Sequence, residues 1–158
     1  QAVLEDKGPV AVRYPRGGEG AYRTDKAQSL LKEGKDCTVI TYGTTINAVL
    51  EAAEGCEKEG LSVEVLKLAT IAPLDFAAVE ASCRKTGRVL VVEETSNHGC
   101  AADELFAHLL QSGVTGRFCK QNLGDGYIRH GAMQDLYALA GLTAQALRDK
   151  IREVCHEA

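Results

Sequence analysis

From residue 36 onward, apolar runs of strand length alternate with stretches of helical period, and one run, Val89-Leu90-Val91-Val92, contains no polar residue. A strand with one wet face alternates apolar and polar side chains, so an unbroken apolar run demands cover on both faces. Helices packed on each side of the sheet supply that cover, and strand–helix–strand units join parallel strands through right-handed crossovers. The expected fold is α/β, a three-layer open sheet that is mostly parallel.

The individual elements follow from local signals. Cys37 to Tyr42 is a β-branched run, and Thr45 is placed to cap a helix whose Ile46, Val49, Leu50, Ala53 and Cys56 recur on one face before Gly60 ends it. Val63, Val65 and Leu66 give a second strand. Pro73-Leu74-Asp75 opens the next helix, with Asp75 as cap, Phe76, Val79 and Cys83 inward, and Gly87 as the stop. Arg88 to Glu93 is the third strand. Ala102, Leu105, Phe106, Leu109 and Leu110 mark the buried stripe of a third helix, and residues 116 to 123 a fourth strand. After a short apolar stretch, Leu136 to Ala140, Leu142 precedes a Thr143 cap and pairs with Leu147 as a hydrophobic staple, with Ile151 and Val154 continuing that face.

The 158 residues suffice for one ordinary domain with its own core. A net charge of −4 leaves no basic stripe to displace counterions from nucleic acid. The longest apolar run, Leu136 to Ala140, is far too short to cross a bilayer, and the amino terminus lacks the regions of a secretory signal, so the expected compartment is the cytoplasm. Six cysteines form no CxxC pair, and Cys37, Cys56 and Cys83 fall on apolar faces, so free structural thiols are expected. His98, Cys100, His108 and Cys119 leave zinc open by spacing, but no closer ligand pair supports it and no metal is assigned.

In an open α/β sheet, ligands bind at the carboxyl ends of the strands, which here means the loops Gly43-Thr44-Thr45, Leu68 to Ala72, and Glu94 to Cys100. Gly43-Thr44-Thr45 lacks the lysine and glycine spacing of a phosphate loop and is assigned no ligand. Glu93-Glu94-Thr95-Ser96-Asn97-His98 is the densest polar cluster. It admits two readings: paired carboxylates beside a histidine for acid–base work, or one carboxylate held at the positive end of the following helix with His98 in water. Gly124-Asp125-Gly126 resembles the opening of a diphosphate–metal motif, but no asparagine follows Asn122 to complete it, so turn geometry is expected. His130 is read as a domain contact or as a packing or capping group.

The amino-terminal stretch reads as the edge of a fragment, without an initiator methionine. Val10 to Arg13 forms a lone strand, followed by Tyr14-Pro15-Arg16-Gly17-Gly18. Arg13 and Arg16 at a strand end beside a proline suit an anion grip, or else are solvated arginines. Gly17 to Lys35 has the composition of a tether around Leu30-Leu31.

Taken in order, Arg13-Tyr14-Pro15-Arg16-Gly17, Thr41-Tyr42-Gly43-Thr44, Pro73-Leu74-Asp75, Val91-Val92-Glu93-Glu94 and Ile128-Arg129-His130-Gly131 resemble the C-terminal part of the 1-deoxy-D-xylulose-5-phosphate synthases. These are thiamin-diphosphate enzymes of the transketolase superfamily, and the likeness runs from about Pro9 nearly to the end. It implies the tail of a preceding pyrimidine-binding domain over 1–19, a linker over 20–35 and a transketolase C-terminal domain over 36–158. It also implies a homodimer and an enzyme that uses thiamin diphosphate and Mg²⁺ to condense pyruvate with D-glyceraldehyde 3-phosphate, releasing CO₂. The cofactor site and the activating glutamate belong to earlier domains, so this stretch is expected to bind no cofactor, to carry no catalytic residue and to be inactive alone. Arg16 matches the family arginine that contacts the phosphate of the aldehyde. Cys100 stands where paired glycines are common and Ala72 where a lysine is common. Transketolase and the β subunit of 2-oxoacid dehydrogenases share this domain, and Thr70-Ile71-Ala72-Pro73 resembles the latter; Arg13 to Gly17 favours the synthases. A noncatalytic interaction module is the reading from a different class.

Overall fold

Five strands form the sheet of the computed structural model, which describes residues 8, 9, 11, 22 and 29–156. Val10, Val12, Arg13 and Arg16, on which the expected strand end and anion grip rest, lie outside the described residues. The strands are β1 (Leu30–Lys32), β2 (Cys37–Thr41), β3 (Val63–Lys67), β4 (Arg88–Val92) and β5 (Arg117–Gln121), in the order β1-β3-β2-β4-β5. All neighbours are parallel except β1, which runs antiparallel to β3. The mostly parallel three-layer sheet expected from the sequence is the one observed.

Register assigns each residue to a face. Cys37 pairs with Val63 and Val39 with Val65 and Leu90, and all of these enter one apolar cluster with Val92. Ile40, Leu66, Val89 and Val91 enter the other. Val89 to Val92 are all fully buried, as the unbroken run requires. The first face is covered by helices α1 (Ile46–Lys58) and α5 (Ala144–His156), the second by α2 (Phe76–Thr86) and α3 (Ala101–Gln111). Leu90, Leu105, Leu109, Leu147 and Ile151 are fully buried. Each such side chain contributes about 1.5–3 kcal/mol relative to exposure. A short helix, α4 (Met133–Leu139), follows β5 and has no buried residue.

Asp75 caps α2 as expected, its Oδ1 accepting from the Ala78 amide at 3.4 Å. Gly87 ends that helix at φ 65°, a left-handed turn that costs glycine little, and donates its N–H to the Cys83 carbonyl. Thr143 Oγ1 accepts from the Ala146 amide at 3.3 Å, and both Leu142 and Leu147 are buried, so cap and staple stand at α5.

Thr45 does not cap α1. Residues Gly43–Thr45 form a 3₁₀ turn that runs into the helix. Thr45 is already helical at φ −74°, ψ −13°, so its hydroxyl turns back to the Tyr42 carbonyl (2.9 Å) and to Thr41 Oγ1 (2.7 Å). Leu110 is 64% exposed rather than on the buried stripe, because eight residues past Ala102 the helix has rotated it off the face. Within the expected 20–35 linker, residues 30–32 are strand. Leu31 packs on the α1/α5 cluster and Leu30 on the α2/α3 cluster, the alternation of a strand too short to register as a pattern.

Candidate functional site at the carboxyl ends of the strands

The end of β4 throws two carboxylates in opposite directions. Glu93 turns inward and is fully buried. Its oxygens accept from the amides of Ala101 (3.0 Å) and Ala102 (3.1 Å), the first turn of α3, and from the Tyr42 hydroxyl (3.0 Å). The charge thus sits where the helix dipole and two unpaired N–H groups favour it. Cys100, the residue before the helix, makes no side-chain cap bond, so Glu93 supplies the cap from seven residues upstream. Burial and then the neighbouring Glu93 charge push the Tyr42 phenol above its ordinary range.

Glu94 faces outward and joins two other segments. It accepts from Thr44 Oγ1, in the 3₁₀ turn after β2, and from the Tyr137 hydroxyl of α4 at 2.9 Å. Partial burial first, and then the bond to Glu94, raise the Tyr137 pKa. The rest of the loop is laced to the one after β5: Asn97 N–H donates to the Gly124 carbonyl (3.2 Å), Leu123 N–H to the Thr95 carbonyl (3.0 Å) and Asn97 Nδ2 to Asp125 Oδ2 (3.1 Å). Lys120 closes the other side, its Nζ at 2.6 Å from both the Asn97 carbonyl and Asp103 Oδ1. That hydrogen bond from Lys120 holds the Asp103 carboxyl below the usual range. Of the two readings of residues 93–98, the observed contacts match the one in which a carboxylate holds a helix terminus. The His98 side chain is 85% exposed, with Nε2 3.6 Å from Asp125 Oδ2.

Two clefts open at this end. One, of about 210 Å³, lies beyond β3 between Ser29, Lys67, Thr70 and Asp75. The other, of about 460 Å³, lies between α4 and the residues after β5, lined by Glu94, Leu123, Tyr127, Arg129, Tyr137 and Ala140 among others. Its rim is apolar and wet: Tyr127 is 93% and Leu139 85% exposed, with Met133 and Ile128 beside them.

Gly124 takes φ +72°, the turn role expected of it. Asp125 is engaged by Asn97 and His98, and among the described residues no group of three or more His, Cys, Asp or Glu is arranged to hold a metal. His108 is stacked on Phe76 with centroids 4.0 Å apart, while His130 is exposed. Sequence reasoning missed Tyr42 and Tyr137. Their carboxylate partners lie 51 and 43 residues away, beyond any local pattern.

This sheet order, with its antiparallel edge strand and its loops gathered at one end, is that of a transketolase C-terminal-type α/β domain. The chain belongs to the family "Transketolase, C-terminal domain", whose model matches residues 25–147. It is 35% identical over 159 residues to a 1-deoxy-D-xylulose-5-phosphate synthase of Chlorobium phaeovibrioides, covering 96% of this chain and 25% of that protein. To the enzyme of the same name from Bacillus velezensis it is 31% identical over 160 residues, with the same coverage. The chain thus spans about a quarter of the length of these curated relatives. Among solved structures, a split-gene transketolase in an inactive β4 tetramer superposes with a TM-score of 0.73 at 26% identity, over 90% of this chain and 46% of that one. Transketolase from Campylobacter jejuni shares the fold, with a TM-score of 0.59 at 19% identity, over 86% of this chain and 20% of that one.

Proposed function

We propose that this chain is the C-terminal domain of a thiamin-diphosphate-dependent 1-deoxy-D-xylulose-5-phosphate synthase. The observation that carries the reading is the 35% identity to such an enzyme across 96% of the chain. In this reading the whole enzyme, a homodimer of the cytoplasm, joins pyruvate to D-glyceraldehyde 3-phosphate with loss of CO₂. Thiamin diphosphate and Mg²⁺ sit in the preceding domains. The domain described here serves assembly, Arg16 contacts the phosphate of the aldehyde, and the chain alone is inactive. The apolar rim around Tyr127 and Leu139 supports the assembly role, since a surface of this kind marks a contact with another protein surface.

The test is Arg16→Ala in the full-length enzyme. An arginine–phosphate pair is charge-assisted, and losing one partner of a buried pair costs about 2–5 kcal/mol. kcat/KM for D-glyceraldehyde 3-phosphate should fall accordingly, while unphosphorylated glyceraldehyde is used as before. Arg16→Lys should restore only part, because a point charge replaces a two-pronged fork. Equal losses with both aldehydes overturn the phosphate assignment. A noncatalytic assembly module is the second reading, favoured by the likeness to the inactive β4 tetramer. A cofactor-binding domain encoded upstream in the same gene supports the synthase, and its absence supports the module.

A further inference from the structure

The cleft beside α4 carries one charge of each sign, and neither is matched by an opposite charge among the described residues. Glu94 Oε2 accepts both hydroxyls, from Thr44 and from Tyr137 at 2.9 Å, while its Oε1 takes no hydrogen bond from the described residues. The two donors come from different elements, so the carboxylate is held in one orientation with an oxygen to spare. Arg129 lines the same cleft, is exposed, and has no ion pair or hydrogen bond among the described residues. We propose that this face pairs with the same face of a second copy of the chain across a two-fold axis, so that Arg129 of each copy meets Glu94 of the other. The pairing gives the assembly role proposed above, on which it rests, a definite occupant.

In a two-fold contact a patch meets itself, so it has to carry its own complement. This patch does so in charge. A partner surface of one sign would satisfy either Glu94 or Arg129 and leave the other facing its like, whereas a second copy satisfies both at once. It does so in shape as well. Tyr127 and Leu139, 93% and 85% exposed, stand beside the cleft of about 460 Å³, so each copy offers a projection and a hollow. Helix α4 has no buried residue, and Met133 and Leu139 on it are exposed, so the contact would take apolar surface out of water. The reciprocal ion pairs would then lie among apolar and aromatic side chains, where exclusion of water strengthens them. One cleft and its rim make a small contact, and small contacts hold weakly, so the pair forms as concentration rises.

Sedimentation equilibrium of the chain, from the micromolar to the millimolar range, should show a monomer–dimer equilibrium that added salt weakens. Glu94→Arg and Arg129→Glu each bring like charges together at two symmetry-related points. Each should raise the dissociation constant by on the order of tenfold or more. An equimolar mixture of the two variants should associate about as tightly as the native chain, because each supplies the sign that the other lacks. Arg129→Glu alters an exposed side chain that holds nothing in the fold, so its weakening counts even where Glu94→Arg loosens α4. A monomer throughout, single variants that pair like the native chain, or a mixture no tighter than either variant alone overturns the proposal. None of these outcomes touches the synthase reading, which the Arg16 kinetics decide separately.

Discussion

Glu93 spends its whole carboxylate inside the domain, on two helix amides and a phenol. Removing it would leave those donors buried without acceptors, a heavier loss than an ordinary surface cap. Glu93→Ala should therefore destabilise the domain by about 2–4 kcal/mol in urea unfolding, and Glu93→Gln by less, since one acceptor oxygen survives. A loss under about 0.5 kcal/mol for the alanine variant would mean that water replaces the carboxylate at the helix terminus. Adjacent Glu94, with the same chemistry, sits in solvent between Thr44 and Tyr137. The sequence marks both as a polar cluster but cannot say which is buried. Strand parity makes the choice, and parity depends on where the strand ends.

At the scale of elements, what was legible in the chain is what is decided locally. Asp75 lies three residues before the amide it accepts from, Leu142 five before its staple partner, and Val89 to Val92 carry their burial in their own composition. Thr45 misled because a 3₁₀ turn and an N-cap begin with the same residue types, and only the backbone angles separate them. Strand β1 escaped because three residues hold too little alternation, and its partner β3 lies some thirty residues on. Its connection to β2 has a steric condition of its own. A Cβ on Gly34 would lie 2.1 Å from the Glu64 amide nitrogen and 2.2 Å from the Val63 carbonyl carbon, both backbone atoms that cannot swing aside. Gly34→Ala should push this connection off β3. Hydrogen exchange should then show protection lost first along the β1–β3 ladder, including the Lys67 amide bound to the Ser29 carbonyl, while β2–β4 pairing persists. Unchanged protection at Lys67 would show that the strands separate without strain.

For the molecule as a whole, the two apolar clusters on either side of the sheet close without help, but the cleft beside α4 does not. Leu139 and Tyr127 stand almost entirely in water and contribute little to the fold. Leu139→Lys should leave the melting temperature of the chain within about 2 °C. In the full-length enzyme proposed above, the same change should weaken assembly, seen as dissociation at higher concentration in sedimentation velocity. Unaltered assembly would remove this face from the contact surface. The direction of β1 bears on how such a contact is made. Because β1 runs against its neighbour, its first residue lies level with the last residues of β3, and Ser29 lines the cleft there. Tyr22 is held at the same end, its amide on Asn47 at the start of α1 and its hydroxyl on Lys67. Had β1 been parallel, the polypeptide would arrive under the floor of the sheet. As built, it enters β1 through the roof, at the end of the sheet where the loops after β2, β3 and β4 gather.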